Sequence, residues 1–210
     1  MASRIIEPSA PSMADWKIKD VILAIMFVCW GVARIVSSPE EARFSIPTLA
    51  PAVLQWLVAV LFLFRGKAER DGDTLALSAT AISLLLGGVL VSLLPLKPWP
   101  ISSVTVFALG AAFTVFSLSV LGGSFAIFPA RRALKTGGPY RLIRHPAYLG
   151  ETVMLLGVAL TIGSPLGWAL MAASVAAFVF RIQGEERVWN TPEFVAYQKQ
   201  TPWRLIPGIW

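Results

Sequence analysis

The chain has 210 residues, of which 56% are hydrophobic and only 14% are charged, whereas about 25% of a soluble domain is charged. This composition excludes an ordinary soluble domain, and the single cysteine and single histidine exclude disulfide frameworks and metal centres with several Cys or His ligands. The net charge of +6 fits loops that lie against an anionic membrane surface better than it fits nucleic-acid binding.

Apolar stretches predict the membrane spans, because a helix needs about 20 apolar residues to cross the bilayer. The first candidate, residues 18–36, contains Asp20 and Arg34 and spans only if these side chains reach the interfaces. The next stretches are free of charge, and the third of them is expected to stop at the Gly122-Gly123 pair. These predicted spans are 44–64, 74–96 and 99–121.

The last apolar run, residues 152–180, is too long for one upright helix, since it would extend for about 43 Å against a core of about 30 Å. The sequence GSPLG at 163–167 interrupts it and predicts a helical hairpin with arms at 147–162 and 166–182. The outer ends of the two arms then return to the same side of the membrane.

The distribution of basic residues predicts the orientation, because cytoplasmic loops are rich in Lys and Arg. With six crossings, all but three of the 18 Lys and Arg residues fall on the side of the N-terminus, the exceptions being Arg34, Arg43 and Lys97. The predicted fold is all-α, a polytopic transmembrane helix bundle of five to six spans whose last two form the hairpin. We expect N-terminal transmembrane helices in 1–121 and a functional region in 122–210, with the polar face cytosolic.

One polar segment precedes the hairpin and reads RRALKTGGPYRLIRHPAYLGE, residues 131–151. Gly137-Gly138-Pro139 predicts a turn, and His145-Pro146 predicts the start of the next helix. Arg141, Arg144 and His145 then cluster at a helix N-terminus, where an anionic group such as a carboxylate or phosphate is favoured. The alternative is that these side chains only anchor the helix at the membrane interface.

A second polar segment follows the hairpin and contains Arg181, Glu185 and Glu186. Arg181 and Glu185 are four residues apart, so on a continued helix they share a face and can pair. Two adjacent glutamates suit a positively charged ligand group or the arginines of the preceding loop, and the alternative is a solvated helix end. Apolar residues of the tail are expected to lie on the membrane and cover the site: Phe194, Tyr197, Trp203, Leu205 and Ile206.

These motifs resemble those of the isoprenylcysteine carboxyl methyltransferase family and its phospholipid N-methyltransferase relatives. The matching stretches are LKTGGPYRLIRHPAYLG at 134–150, FRIQGEE at 180–186, and a Tyr-containing segment that ends in RLIP. The resemblance covers about the last 80 residues. Gly184 is a departure, since family members often carry another polar residue there.

The resemblance implies an integral membrane enzyme that uses S-adenosylmethionine, bound by the cytosolic C-terminal segment, to methylate a lipophilic acceptor. It implies a strand-like segment at 132–135 as part of the cofactor site. It also implies that Arg181 is the catalytic residue on the acceptor side, where it would orient an anionic acceptor. The implied cofactor-binding residues are Arg132, Ala133, Leu134, Lys135, Tyr140, His145, Pro146, Ala147, Tyr148, Glu185 and Glu186.

The chemistry of the residues agrees with this cofactor, which presents a carboxylate, an ammonium, a sulfonium and an adenine. Such a ligand needs basic, acidic and aromatic groups, and Tyr140 or Tyr148 could face the sulfonium through a cation–π contact of about 0.5–2 kcal/mol. Methyl transfer is a direct displacement, so no nucleophile of the protein is required. The acceptor stays open between an isoprenylated cysteine carboxylate, a phospholipid amine, and a small hydrophobic acid or thiol, as does the oligomeric state.

Two other functions compete with this interpretation. The first is an NADPH-dependent membrane reductase of the sterol-reductase type, because such enzymes share an R-H-P-x-Y-x-G-E-like stretch that includes Glu151. The cations available for NADPH phosphates would be Arg131, Arg132, Lys135, Arg141 and Arg144. The second is a non-enzymatic transporter or assembly subunit, which the scarcity of charged residues deep in the apolar runs disfavours.

Overall fold

The computed structural model describes residues 13–71, 74–93 and 98–210, and α-helices dominate this part of the chain. The end of the predicted span 74–96 therefore lies outside the described residues. The helices are α1 Met13–Ser37, α2 Ile46–Phe64, α3 Thr74–Ser92, α4 Ile101–Leu121, α5 Pro146–Ile162, α6 Pro165–Val188 and α7 Pro192–Gln200. Short 3₁₀ turns lie at Glu40–Ala42, Gly122–Ser124 and Gly138–Arg141, and two-residue strands form at Arg70–Asp71 (β1) and Ala130–Arg131 (β2).

Within residues 13–71, 74–93 and 98–210, four helices are long and apolar enough to cross a membrane, and they coincide with α1, α2, α4 and α6. Two shorter apolar helices accompany them, Leu77–Gly87 within α3 and the whole of α5. Large apolar side chains such as Ile25, Leu109 and Phe180 are exposed on the outside of the bundle, as expected for surfaces that contact lipid. The predicted all-α polytopic bundle is confirmed, and the chain is an integral membrane protein.

Glycine and proline define the hairpin of α5 and α6 where the sequence predicts it. Gly163 ends α5 with a φ of 65°, a left-handed conformation that glycine adopts without a steric cost. Ser164 then caps α6, since its Oγ accepts a hydrogen bond of 3.2 Å from the N–H of Gly167. α6 runs to Val188, six residues beyond the predicted arm, because the buried Gly184 does not interrupt the helix.

Small residues allow α4 and α5 to pack closely. A Cβ atom at Gly110 of α4 would lie only 2.6 Å from the backbone nitrogen of Met154, and one at Gly157 of α5 would lie 2.8 Å from Cβ of Phe107. Glycine therefore permits a backbone approach that any side chain would prevent, as is common where helices meet in membranes. This contact fixes α5, whose first turn carries most of the functional motif.

The charged residues of the first span are held by partners within the protein. Asp20 is 1% exposed and accepts two hydrogen bonds from Arg65, with Nε to Oδ2 at 3.0 Å and Nη2 to Oδ1 at 2.5 Å. Arg34 donates from Nη2 to the carbonyl of Pro47 over 2.9 Å. Asp20 is thus compensated within the protein by Arg65, the residue that follows α2.

The polar loops gather at one end of the bundle. β1 pairs with β2 in antiparallel register, with Arg70 opposite Arg131. The strand-like segment expected at 132–135 is displaced, since the strand ends at residue 131. The tail joins the same end, where the N–H groups of Arg144 and His145 donate to the carbonyls of Trp203 and Arg204 over 2.9 Å each.

Candidate active site

A cavity of about 130 Å³, partly open to solvent, lies at the polar end of α4, α5 and α6. Most of the predicted site residues line it: Ala133, Leu134, Lys135, Tyr140, His145, Ala147, Tyr148, Arg181 and Glu185. The remaining predicted residues, Arg132, Pro146 and Glu186, do not line it.

The Gly-Gly-Pro turn places Tyr140 in the cavity wall. Gly138 has a φ of 56°, and the 3₁₀ turn that it begins buries Tyr140, whose hydroxyl donates to the carbonyl of Ser117 over 3.3 Å. Burial raises the pKa of Tyr140 well above its usual value, and the charges of Glu185 and Glu151 and the nearby Tyr197 add to the effect. This phenol is therefore neutral and keeps the proton that it donates to Ser117.

His145 and Pro146 start α5 and direct its first turn into the cavity. His145 occupies the N-cap position and Pro146 is the first helical residue, where its missing N–H has no cost. Ala147 and Tyr148 follow in the first turn. The Tyr148 ring lies 5.8 Å from that of His145 and 5.4 Å from that of Phe178, so it is fixed between two aromatic neighbours.

Arg181, Glu185 and Tyr148 form a compact charged and aromatic cluster. The Nε of Arg181 lies 3.5 Å from Oε1 of Glu185, which is the pairing that the four-residue spacing predicts. The guanidinium carbon lies 5.0 Å from the centre of the Tyr148 ring, and the Tyr148 hydroxyl donates to Oε1 of Glu185. Arg181 is only 7% exposed and also donates from Nη2 to the carbonyl of Ile127 over 2.5 Å. The pair is thus largely shielded from water, where electrostatic interactions are stronger than at a surface.

Glu186 points away from the cavity and connects three parts of the chain. Its Oε1 accepts from Nε of Arg144 at 2.8 Å and lies 3.2 Å from Nε2 of His145, while its Oε2 accepts from Nε of Arg204 at 2.9 Å. Because consecutive helical residues do not face the same direction, Glu185 and Glu186 reach different partners. The cations at Glu186 are Arg144 of the preceding loop, which agrees with one of the two expected explanations, and Arg204 of the tail.

The predicted cluster of cations at the start of α5 does not form as expected. Arg144 is buried, and besides Glu186 it binds the carbonyls of Thr201 and Pro202 through Nη1, both at 2.7 Å. Arg141 is exposed and does not line the cavity. Arg144 therefore joins the loop to the tail, because several backbone carbonyls of the tail converge on its guanidinium.

The cations expected for NADPH phosphates are similarly dispersed. Arg131 lies 2.9 Å from Glu69, and Arg132 donates to the carbonyl of Gly66. Of the five candidate cations, Lys135 and Arg144 line the cavity, and the Arg144 guanidinium is already occupied. A site for several phosphates would need cations that converge, so this arrangement disfavours the reductase interpretation.

The tail covers the site, but it does so by packing inward. Phe194 and Tyr197 of α7 are buried and line the cavity, and Leu205 is buried against a cluster that includes Tyr148. The expectation that these three residues lie on the membrane is wrong, since they complete the protein core instead. Trp203 and Ile206 are 37% and 46% exposed and remain free to contact the membrane.

Tyr197 fastens the tail over the Gly-Gly-Pro turn. Its hydroxyl donates to the carbonyl of Tyr140 over 2.6 Å. Burial raises the pKa of Tyr197 to about 12; the positive charge of Arg144 opposes this shift and the negative charge of Glu186 adds to it. The hydroxyl thus keeps its proton and its hydrogen bond at neutral pH.

The sequence analysis missed an apolar wall of the cavity. The segment SFAIFPA at 124–130 follows the glycine stop, and its residues Ser124, Phe125, Ala126 and Pro129 line the cavity. From α4, Leu118 and Leu121 join them. Two phenylalanines and an isoleucine directly after the glycine stop are more apolar than an exposed loop requires. This composition is the feature of the sequence that indicates a buried wall.

Together, the fold and the site define an integral membrane protein whose cavity has a charged and aromatic wall and an apolar wall. Residues 99–192, from just before α4 to the start of α7, match the family model described as phospholipid methyltransferase. Over 98 residues the chain is 32% identical to phosphatidyl-N-methylethanolamine N-methyltransferase of Saccharomyces cerevisiae. That alignment covers 43% of this chain and 46% of the yeast protein, so the chain matches about half the length of this relative. The predicted resemblance to membrane methyltransferases is confirmed over this region.

Proposed function

We propose that this protein is an integral membrane methyltransferase that transfers a methyl group from S-adenosylmethionine to a lipid. The observation that carries the proposal is the cavity itself, which has Arg181, Glu185 and Tyr148 on one wall and Leu118 and Phe125 on another. A polar cofactor and a lipophilic acceptor can therefore meet at the end of the helices. The match to the phospholipid methyltransferase family over residues 99–192 supports this function.

The residues of the polar wall fit the proposed cofactor. Lys135 lines the cavity with a cation for a carboxylate, and Glu185 supplies an anion for an ammonium group. The rings of Tyr140 and Tyr148 offer aromatic faces that suit a cation or an adenine. When bound, S-adenosylmethionine supplies an electrophilic methyl group on a positively charged sulfur.

The residues of this chain contribute to the reaction by positioning and by excluding water. Arg181 is fixed by Ile127 and Glu185, so its guanidinium can orient a negatively charged part of the acceptor. Phe194 and Tyr197 cover the cavity from the tail and limit the access of water. Holding two reactants in line can provide a large part of the rate enhancement, and a direct displacement needs nothing covalent from the protein.

The acceptor is proposed to be the head group of a phospholipid. The family model and the name of the yeast relative favour a head group over an isoprenylated cysteine carboxylate. The apolar wall formed by α4 and the segment after it supports access from the bilayer. The excess of basic residues in the loops at this end supports a cytosolic site.

The proposed function is tested with the detergent-purified full chain. We expect calorimetry to detect binding of S-adenosylhomocysteine and not of NADPH. We also expect methyl-labelled S-adenosylmethionine, incubated with a total lipid extract, to yield a labelled phospholipid. Binding of NADPH alone would contradict the cofactor, and a label found only on an isoprenylated carboxylate would contradict the acceptor.

A further inference from the structure

Glu151 lines the cavity, and the proposed cofactor contacts do not use it. It lies on α5 three residues after Tyr148, so the two side chains share a face of the helix. At 1.5 Å per residue, Glu151 is about 4.5 Å further along the helix than Tyr148, away from the polar loops. It therefore lies between the charged wall and the apolar part of the bundle, where the head group of a lipid would arrive.

The Glu151 carboxylate has no hydrogen bond and no ion pair within the part of the chain that the structure describes, residues 13–71, 74–93 and 98–210. The positive charge of Arg181 on α6 acts on Glu151 without a hydrogen bond or ion pair between them, and the Arg181 guanidinium contacts Ile127 and Glu185. An acidic group inside a membrane protein is costly unless a cation or a hydrogen-bond donor compensates it. The position of Glu151 thus calls for a cationic ligand.

The charges at this end of the cavity favour a cation over an anion. Two carboxyl groups, Glu151 and Glu185, face one guanidinium, Arg181, so acidic groups outnumber basic ones in this cluster. The electrostatic influence of Glu151 extends to Tyr140, whose pKa it helps to raise. An acceptor with both a phosphate and an ammonium group could place the phosphate at Arg181 and the ammonium at Glu151.

We propose that Glu151 recognises the ammonium group of an amine acceptor and takes its proton before methyl transfer, an inference that rests on the proposed function. An N–H bond of the ammonium breaks, the proton passes to a carboxylate oxygen of Glu151, and the nitrogen keeps the electron pair. The nitrogen then forms a bond to the methyl carbon while the carbon–sulfur bond breaks and its electrons go to sulfur. The products are a methylated ammonium and S-adenosylhomocysteine, and Glu151 returns its proton to solvent.

The groups around Glu151 have distinct places in this scheme. Tyr148 shares its helix, Arg181 and Glu185 face it from α6, and Tyr140 faces it from the Gly-Gly-Pro turn. Tyr140 keeps its proton at neutral pH, as argued above, and Arg181 keeps its charge. Glu185 is held by Tyr148 and Arg181, which leaves Glu151 as the carboxylate available to the acceptor.

The kinetic test compares Glu151→Gln with Glu151→Asp and with Glu41→Gln, an exposed glutamate between α1 and α2 at the opposite end of the bundle. We expect Glu151→Gln to lower kcat/KM for an amine lipid by about 100- to 10,000-fold, which is the usual contribution of a general base. Its rate should rise about tenfold per pH unit, because the amine must then lose its proton to solvent. Glu151→Asp should recover part of the activity, and Glu41→Gln should behave as wild type.

The binding test does not depend on turnover. Native mass spectrometry from mixed micelles compares phosphatidylethanolamine with phosphatidylglycerol, which carries hydroxyl groups in place of the amine. We expect the wild type and Glu41→Gln to prefer the amine lipid and Glu151→Gln to lose this preference. All three proteins should bind S-adenosylhomocysteine equally well.

The outcomes separate this inference from the proposed function. Cofactor binding without label transfer to any lipid would reject the proposed function, whereas an amine preference that depends on Glu151 would still support the recognition role. A wild type without amine preference, or a Glu151→Gln variant that keeps both preference and pH profile, would overturn the inference. A loss of S-adenosylhomocysteine binding in Glu151→Gln would also overturn it, because Glu151 would then contact the cofactor.

Discussion

Glu185 and Glu186 are neighbours in the chain but act in different parts of the molecule. Glu185 faces the cavity with Tyr148 and Arg181, whereas Glu186 binds Arg144 from the loop and Arg204 from the tail. The four-residue spacing predicted the first arrangement from the sequence. The second depends on contacts between residues 42 and 18 positions apart, and no local pattern specifies them.

The division between the two glutamates can be tested by exchanging each in turn. Glu186→Ala leaves the buried Arg144 without its carboxylate, and breaking a buried ion pair costs about 3–5 kcal/mol. We expect a clear fall in the midpoint of thermal unfolding in detergent. The exposed Glu41→Ala is the matched control and should unfold as wild type does.

Glu185→Gln is expected to weaken ligand binding more than it weakens the fold, because the glutamine oxygen can still accept from the Tyr148 hydroxyl and Arg181 keeps its hydrogen bond to the carbonyl of Ile127. If Glu185 binds an ammonium group, loss of its charge removes a hydrogen bond worth about 1.5–3 kcal/mol, or about 10- to 150-fold in the dissociation constant of S-adenosylhomocysteine. Calorimetry measures this change. Unchanged binding in Glu185→Gln, or unchanged stability in Glu186→Ala, would contradict the assigned roles.

At the scale of helices, local sequence signals were sufficient for the hairpin but not for the tail. Gly163, Ser164 and Pro165 end one helix and begin the next through their own backbone preferences. The inward packing of Phe194 and Leu205 depends instead on a cavity rim supplied by α5 and α6. An apolar side chain is equally suited to lipid and to protein core, so the sequence alone could not decide between them.

The close contact of α4 and α5 gives a prediction at this scale. Gly157→Ala would place a Cβ 2.8 Å from Cβ of Phe107 and 2.9 Å from the carbonyl of Ser103, so the helices must separate. We expect a loss of about 1–3 kcal/mol, as is typical for overpacking, together with weaker cofactor binding because α5 carries His145 and Tyr148. Unfolding midpoints and calorimetry measure both effects.

Gly87→Ala in α3 is the control for this substitution. It also lies in an apolar helix, but a Cβ there meets nothing within 4 Å. Since alanine is the better helix former, we expect Gly87→Ala to be neutral or slightly stabilising. An equal loss of stability in both variants would show that the effect belongs to glycine in membrane helices generally and not to the contact between α4 and α5.

For the whole molecule, the basic residues of the sequence predicted which loops share one end of the bundle, and the structure brings those loops together. β1 after α2 pairs with β2 after α4, and the tail pairs with the residues before α5. The sequence could not specify these pairings, because strands of two residues have too little pattern to be recognised. It could specify the common side, because Lys and Arg collect in the loops on one side of a membrane.

This arrangement predicts the sidedness of chemical labelling in sealed membrane vesicles. Cys29 is the one cysteine of the sequence, so a Cys29→Ser background accepts single cysteines at exposed positions. Lys67→Cys, Thr136→Cys and Gln200→Cys should all react with a membrane-impermeant maleimide from the cytosolic side, because their segments meet at one end of the bundle. Glu41→Cys and Pro98→Cys should react only from the opposite side. If Thr136→Cys and Gln200→Cys reacted from different sides, the loop and the tail could not enclose a common cavity, and both the active site and the role of Glu151 would have to be abandoned.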